Sequence, residues 1–111
     1  MRKDRLEKLA VFLDKLKPEE FNINVLTNTC NTVCCAVGWL PAVDPENWEW
    51  SESEGVRLRD STLFFWQSQA MEYFELTEDL TETLFDSLHY TIEPVLPSHV
   101  TQRIRAAILS H

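Results

Sequence analysis

The sequence predicts a mainly α fold, a compact single-domain bundle of about five helices with a small β-hairpin near residues 48–58. Three observations predict it. Apolar side chains recur at three- and four-residue steps over most of the chain, prolines punctuate those runs, and residues 48–58 switch to alternation. With 111 residues, 44% apolar and 25% charged, the chain can build one core without metal or disulfide support but cannot form a multidomain enzyme. Two glycines also argue against a phosphate-cradling loop or a turn-rich barrel.

Leu6, Leu9, Leu13 and Leu16, with Ala10 on the same face, predict an amphipathic first helix; Arg5, Glu7, Lys8, Asp14 and Lys15 lie mostly elsewhere on the wheel. Pro18 stops it, because its ring removes a donor and disfavours helical geometry at Lys17. Residues 19–21 read as one tight turn, and residues 22–28, polar and Asn-rich, as a loop with an extended piece. In residues 29–40, the small apolar run Val33, Cys34, Cys35, Ala36, Val37, Gly38 predicts a short helix buried nearly all round. Thr32 or Asn31 would cap it and Pro41 would end it. Trp48 and Trp50 alternate with Glu49, and Val56 and Leu58 with Arg57, around Ser53-Glu54-Gly55, which predicts the hairpin. Asp60 or Ser61 would cap a helix running to about Phe74, with Leu63, Trp66, Ala70 and Phe74 on one face. A break at residues 75–77 leads to a helix carrying Leu80, Leu84, Phe85 and Leu88. Pro94 and Pro97 bracket a linker, and Ser98 would cap a last helix with Val100, Ile104, Ala107 and Ile108 inward.

The charge is unevenly distributed. Residues 1–17 carry six basic and three acidic groups, residues 18–102 two basic and fifteen acidic, and residues 103–111 two basic, so a net charge of −8 encloses a central region of −13. Such a chain does not draw its main affinity from phosphates, a term that Lys and Arg supply, and direct nucleic-acid binding is not expected. Two blocks hold the acid: Asp44, Glu46, Glu49, Glu52 and Glu54 around the tryptophans, and Glu72, Glu75, Glu78, Asp79, Glu82 and Asp86 over two predicted helices. One reading makes these ordinary solvated faces. The sharper one makes them a surface for a partner protein with a basic groove that normally holds nucleic acid. In that reading Glu72, Glu75, Glu78, Asp79, Glu82 and Asp86 bind the partner, and Trp48 and Trp50 anchor it. The alternative for the tryptophans is that they cover the core beneath a long loop.

At Cys30-Asn31-Thr32-Val33-Cys34-Cys35-Ala36-Val37-Gly38-Trp39 the chain resembles a family of small uncharacterised proteins of bacteriophages and bacteria, whose shared segment is Cys-Gly-Thr-Val-Ala-Cys-Ala-x-Gly-His/Trp. Asn31 stands where that pattern has glycine, and Cys34 where it has alanine. Pro18-Glu19-Glu20-Phe21-Asn22 after the Leu-rich helix is similar to the family's opening. Ala70, Phe74, Leu76 and Thr77, followed by Leu84-Phe85, resemble its later helix. The resemblance implies a phage or bacterial setting and a mostly helical fold, and carries across no catalytic residue and no cofactor.

Three cysteines within six positions are not a secreted disulfide framework. Cys30 and Cys34 are helical neighbours, but Cys35 points about 100° away, and a zinc site needs four ligands, commonly in two pairs. Buried packing is the leading expectation, a metal site on Cys30, Cys34 and Cys35 the alternative. A catalytic thiol would require a base such as His89 or His99. His89 is expected at a helix C-terminus, where a cation is favourable. No GxSxG, HExxH, Walker or EF-hand pattern occurs, so no catalytic residue is assigned and an enzyme is disfavoured. The basic N-terminus lacks the continuous apolar run of a secretory signal, and no run is long enough to span a bilayer. The expectation is therefore a non-enzymatic acidic protein-binding module in the cytoplasm, with no membrane partner. If phage-encoded, it would modulate or inhibit a host protein in the bacterial cytoplasm. The competing expectations are a thiol- or zinc-dependent protein centred on the cysteines and a self-associating accessory protein that forms a homo-oligomer.

Overall fold

The first helix, α1, spans Lys3–Asp14 and buries Leu6, Leu9, Ala10 and Leu13, the face that the leucine spacing predicts. The computed structural model describes residues 1–22, 35–51 and 55–111. A single 3-10 turn at Pro18–Glu20 follows α1, closed by the Lys17 N–H donating to Glu20 Oε1 at 3.0 Å. Next come a 3-10 turn at Val37–Trp39 and the short helix α2, Leu40–Val43. Pro41 was expected to end a helix but lies in the first turn of α2, where the missing N–H costs nothing. The caps expected at Asn31 and Thr32 lie outside the described residues.

The hairpin forms where alternation predicts it. Strands β1 (Trp48–Ser51) and β2 (Gly55–Leu58) pair antiparallel, with Trp48 opposite Leu58, Glu49 opposite Arg57 and Trp50 opposite Val56. Trp48, Val56 and Leu58 face the core, while Glu49 pairs with Arg59 at 2.8 Å.

Helix α3 covers Trp66–Phe74, five residues shorter at its start than a cap at Asp60 or Ser61 would place it. The physical reason is Gln69, which is buried. Its Oε1 accepts the Leu58 N–H at 2.7 Å, and its Nε2 donates to the carbonyls of Leu63 and Phe64, both at 3.3 Å. Those bonds satisfy the carbonyls of Leu63 and Phe64 outside a helix. Glu75 ends α3 in the left-handed region at φ 55°. Helix α4, Glu78–Phe85, is capped by Thr77, whose Oγ1 accepts from Leu80 N at 3.3 Å. Thr77→Ala is expected to lower stability by about 1 kcal/mol, read by urea denaturation; an unchanged midpoint would show that the cap contributes nothing.

Beyond α4, Leu88 was expected inward on a continuing helix. It is 88% exposed in a 3-10 turn, Ser87–His89, because the chain leaves helical geometry at Asp86. Helix α5, Pro97–Ser110, begins with Pro97 in its first turn, and the Leu96 N–H donates to His99 Nδ1 at 2.9 Å. Val100, Ile104 and Ala107 are buried. The broadest contact between helices joins α1 to α5, edged by Arg105 reaching Asp14 at 2.6 Å and Glu7 at 3.6 Å. Arg103 lies 3.7 Å over the Tyr90 ring, whose hydroxyl donates to Leu84 O at 2.6 Å. Burial pushes that hydroxyl up to about 12 against the opposing pull of Arg103. This contact fixes the segment after α4 against α5. The result is a mainly α single domain with five helices and one hairpin among the described residues, and a radius of gyration of 12.8 Å, the compactness expected at this length, about 13 Å.

Candidate functional site

The carboxylates assigned to a partner surface separate into groups once folded. On α4, at about 100° per residue, Glu78, Glu82 and Asp79 fall within an arc of about 100°, and Asp86 is the extended residue that ends the helix. Thr81, Leu84 and Phe85 turn inward, with Phe85 only about 20° round the helix from Glu78. Among the described residues none of the four pairs with Lys or Arg. Glu82 has only His89, whose Nε2 lies 3.6 Å from its Oε2, and Asp86 accepts the Leu88 N–H at 2.9 Å. The edge therefore carries its carboxylates without a Lys or Arg counter-charge among the described residues, and exposed Leu88 follows at its end.

Glu75 and Asp79 both line a hollow of about 400 Å³ that also contains Leu76 and Leu80, which joins Glu75 to the α4 edge. Glu75 is less free than the others, since Arg2 Nη1 approaches to 4.0 Å. Glu72, exposed on α3, accepts from the Ser61 hydroxyl at 3.1 Å and belongs to the loop before that helix.

Two acids behave differently from the rest. Asp44 was grouped with the surface block around the tryptophans, but it is buried and accepts from Tyr73 Oη at 2.5 Å and Asn47 Nδ2 at 2.8 Å. Burial pushes its carboxyl up; the bonds from Tyr73 and Asn47, with the nearby Lys8 charge, outweigh that and hold it below its ordinary value. Tyr73 is raised above the usual phenol range by burial and by that carboxylate. The Arg5 guanidinium lies 4.3 Å over its ring and donates to Tyr73 O at 2.7 Å. Asp4, at the surface, is held down at about 2 by its hydrogen bonds from Arg2.

Trp48 is corrected in the same way. At 1% exposure it belongs to the core, set edge-on to Tyr73 with centroids 5.4 Å apart, and presents no surface to a partner. Trp50 is half-buried against the core and opposes Val56. The exposed aromatic side chains are instead Phe64 and Phe65, at 82% and 67%. The sequence contained a signal for them: Leu63-Phe64-Phe65-Trp66 is four large apolar residues in a row, and no helix can turn all four inward.

Of the cysteines, Cys35 is buried, and its Sγ accepts from Gly38 N at 3.4 Å. Cys30 and Cys34 lie outside the described residues. Among the described residues no three His, Cys, Asp or Glu side chains gather into a metal-holding group. No described helix is long and apolar enough to cross a membrane.

Fold and site together define a small, mainly helical domain with an acidic edge on one helix. In comparisons with known proteins the chain matches no family model, no curated sequence and no solved structure.

Proposed function

We propose that the protein is a non-enzymatic, acidic protein-binding module whose α4 edge docks on a basic surface of a partner protein. One observation carries this reading: Glu78, Asp79 and Glu82 share one edge of α4, Asp86 ends that helix, and none of the four has a Lys or Arg partner among the described residues. Carboxylates that lack a Lys or Arg counter-charge steer a cationic surface toward the edge and select it over neutral ones. In the phage or bacterial setting that the resemblance at residues 30–39 implies, the partner is a host protein whose basic groove holds nucleic acid, and the module inhibits it by occupying that groove.

The test is affinity capture from bacterial lysate with the intact chain and with a variant carrying Glu78→Lys, Glu82→Lys and Asp86→Lys. The expected result is a basic protein retained at low salt, released as ionic strength screens the charges, and absent from the variant. Equal retention by both chains rules the edge out as the docking surface.

A further inference from the structure

We propose that Phe64 and Phe65 form the apolar anchor of this protein's interface, and that they grip a face of a partner protein carrying both Lys or Arg and large aliphatic side chains. The partner's positive charge rests on the reading above; the anchor rests on its own geometry.

The rings stand on a loop that is held firmly. Asp60 turns the chain after β2 with a φ of 61°. Ser61 N then donates to Leu58 O at 3.3 Å, Arg57 Nη2 donates to Ser61 O at 2.6 Å, and Leu63 N donates to Ser61 Oγ at 3.2 Å. Beneath the loop Gln69, only 2% exposed, grips the carbonyls of Leu63 and Phe64. The fold thus spends a buried amide on fixing the backbone of two phenylalanines whose rings it leaves in water. The rings meet edge to face, with centroids 5.2 Å apart and planes at 82°. Withdrawing an aromatic ring from water is favourable, a gain left unrealised in this chain and open to a partner. Aromatic side chains on an already ordered backbone bind with little further ordering cost, as the residues that dominate protein interfaces do.

Charge selects the occupant. Exposed Asp60 lies on the same loop, and exposed Glu72 is tied to it by the Ser61 hydroxyl. Arg57 at its foot keeps its charge while donating to Ser61 O, and Arg59 is paired with Glu49 at 2.8 Å, so on this loop the two carboxylates face one arginine. A second copy would bring another net charge of −8 and the same carboxylates against these, and an anionic lipid surface would be repelled likewise. A cationic face with leucine-like side chains satisfies both rings and both carboxylates.

The probes are two helical peptides of equal positive charge, one of Leu and Lys and one of Ala and Lys, titrated calorimetrically into the full chain. The Leu/Lys peptide is expected to bind about tenfold tighter or more. A Phe64→Ala, Phe65→Ala variant should lose that advantage while its affinity for the Ala/Lys peptide stays unchanged. Both rings are exposed, so circular dichroism and melting should be preserved; Phe64→Ser alone is the second variant, with an intermediate loss. A double variant that binds the Leu/Lys peptide as tightly as the parent overturns the proposal. So does phenylalanine-dependent self-association in light scattering, which assigns the rings to a second copy, or phenylalanine-dependent binding to phosphatidylcholine vesicles without discrimination between the peptides. If instead the Glu78→Lys, Glu82→Lys, Asp86→Lys variant keeps full affinity for both peptides, the α4 reading fails while the anchor stands on its own comparison.

Discussion

Trp48→Ala is expected to lower stability by about 3–5 kcal/mol, a large part of the 5–15 kcal/mol typical of a domain. Trp48 is the largest side chain under 2% exposure, and it fills the space between β2, where it opposes Leu58, and the edge of Tyr73. Removing the indole leaves a cavity that hairpin and helix cannot both collapse into. Trp48→Phe keeps a ring against Tyr73 and removes an indole N–H that finds no acceptor among the described residues, so its cost should be smaller, about 1 kcal/mol. Urea denaturation followed by far-UV circular dichroism separates the two. An alanine cost below about 1 kcal/mol would put Trp48 back on the surface and restore it as a candidate anchor for a partner.

Tyr73→Phe is expected to cost about 2 kcal/mol near neutral pH, because it leaves the buried Asp44 carboxylate with Asn47 alone. The effect has a pH signature. The folded pKa of Asp44 lies below its unfolded value, so its ionised form stabilises the fold above about pH 4, and that contribution is lost as pH falls through the folded pKa. Without the tyrosine hydroxyl one of the bonds that hold the carboxyl down is gone, and the folded pKa rises. The gap between parent and variant is therefore widest near neutrality and narrows in acid. A gap that stays constant from pH 7 down to about pH 3 would show that the variant loses packing and not the charged hydrogen bond.

Periodicity made legible whatever it alone determines. Leu6, Leu9, Ala10 and Leu13 on α1, the Trp48–Leu58 pairing of the hairpin, and Val100, Ile104 and Ala107 on α5 all lie where the spacing of apolar residues puts them. Boundaries set by a distant polar partner were not legible. A helix starting at Asp60 or Ser61 was a sound expectation from capping preference, yet Gln69, a polar residue inside an apolar pattern, holds the preceding loop extended through bonds to Leu58, Leu63 and Phe64. Leu88 continued the spacing of α4, but the chain leaves the helix at Asp86 and the leucine ends in solvent.

The candidate site divides along the same line. Carboxylate spacing on one helix is a local property, so the common edge of Glu78, Asp79 and Glu82 could be read from the chain. Whether an acid is buried depends on what packs across it. Asp44 is withdrawn into the core by Tyr73, and that pairing spans the chain from α2 to α3. Which aromatics face water has the same dependence: the tryptophan of a hairpin covered by α3 is buried, and the phenylalanines of an uncovered loop are not.

The contact between α1 and α5 also sets an order of events during synthesis. A ribosome releases α1 long before α5, so Leu6, Leu9 and Leu13 emerge without the helix that covers much of their face. Over that interval the nascent chain carries an apolar leucine pattern interspersed with Arg2, Lys3, Arg5, Lys8, Lys15 and Lys17. Closure of the domain covers the leucines and leaves Lys3, Lys8, Lys15 and Lys17 in solvent, so folding removes the apolar half of this segment from view and keeps its charged half.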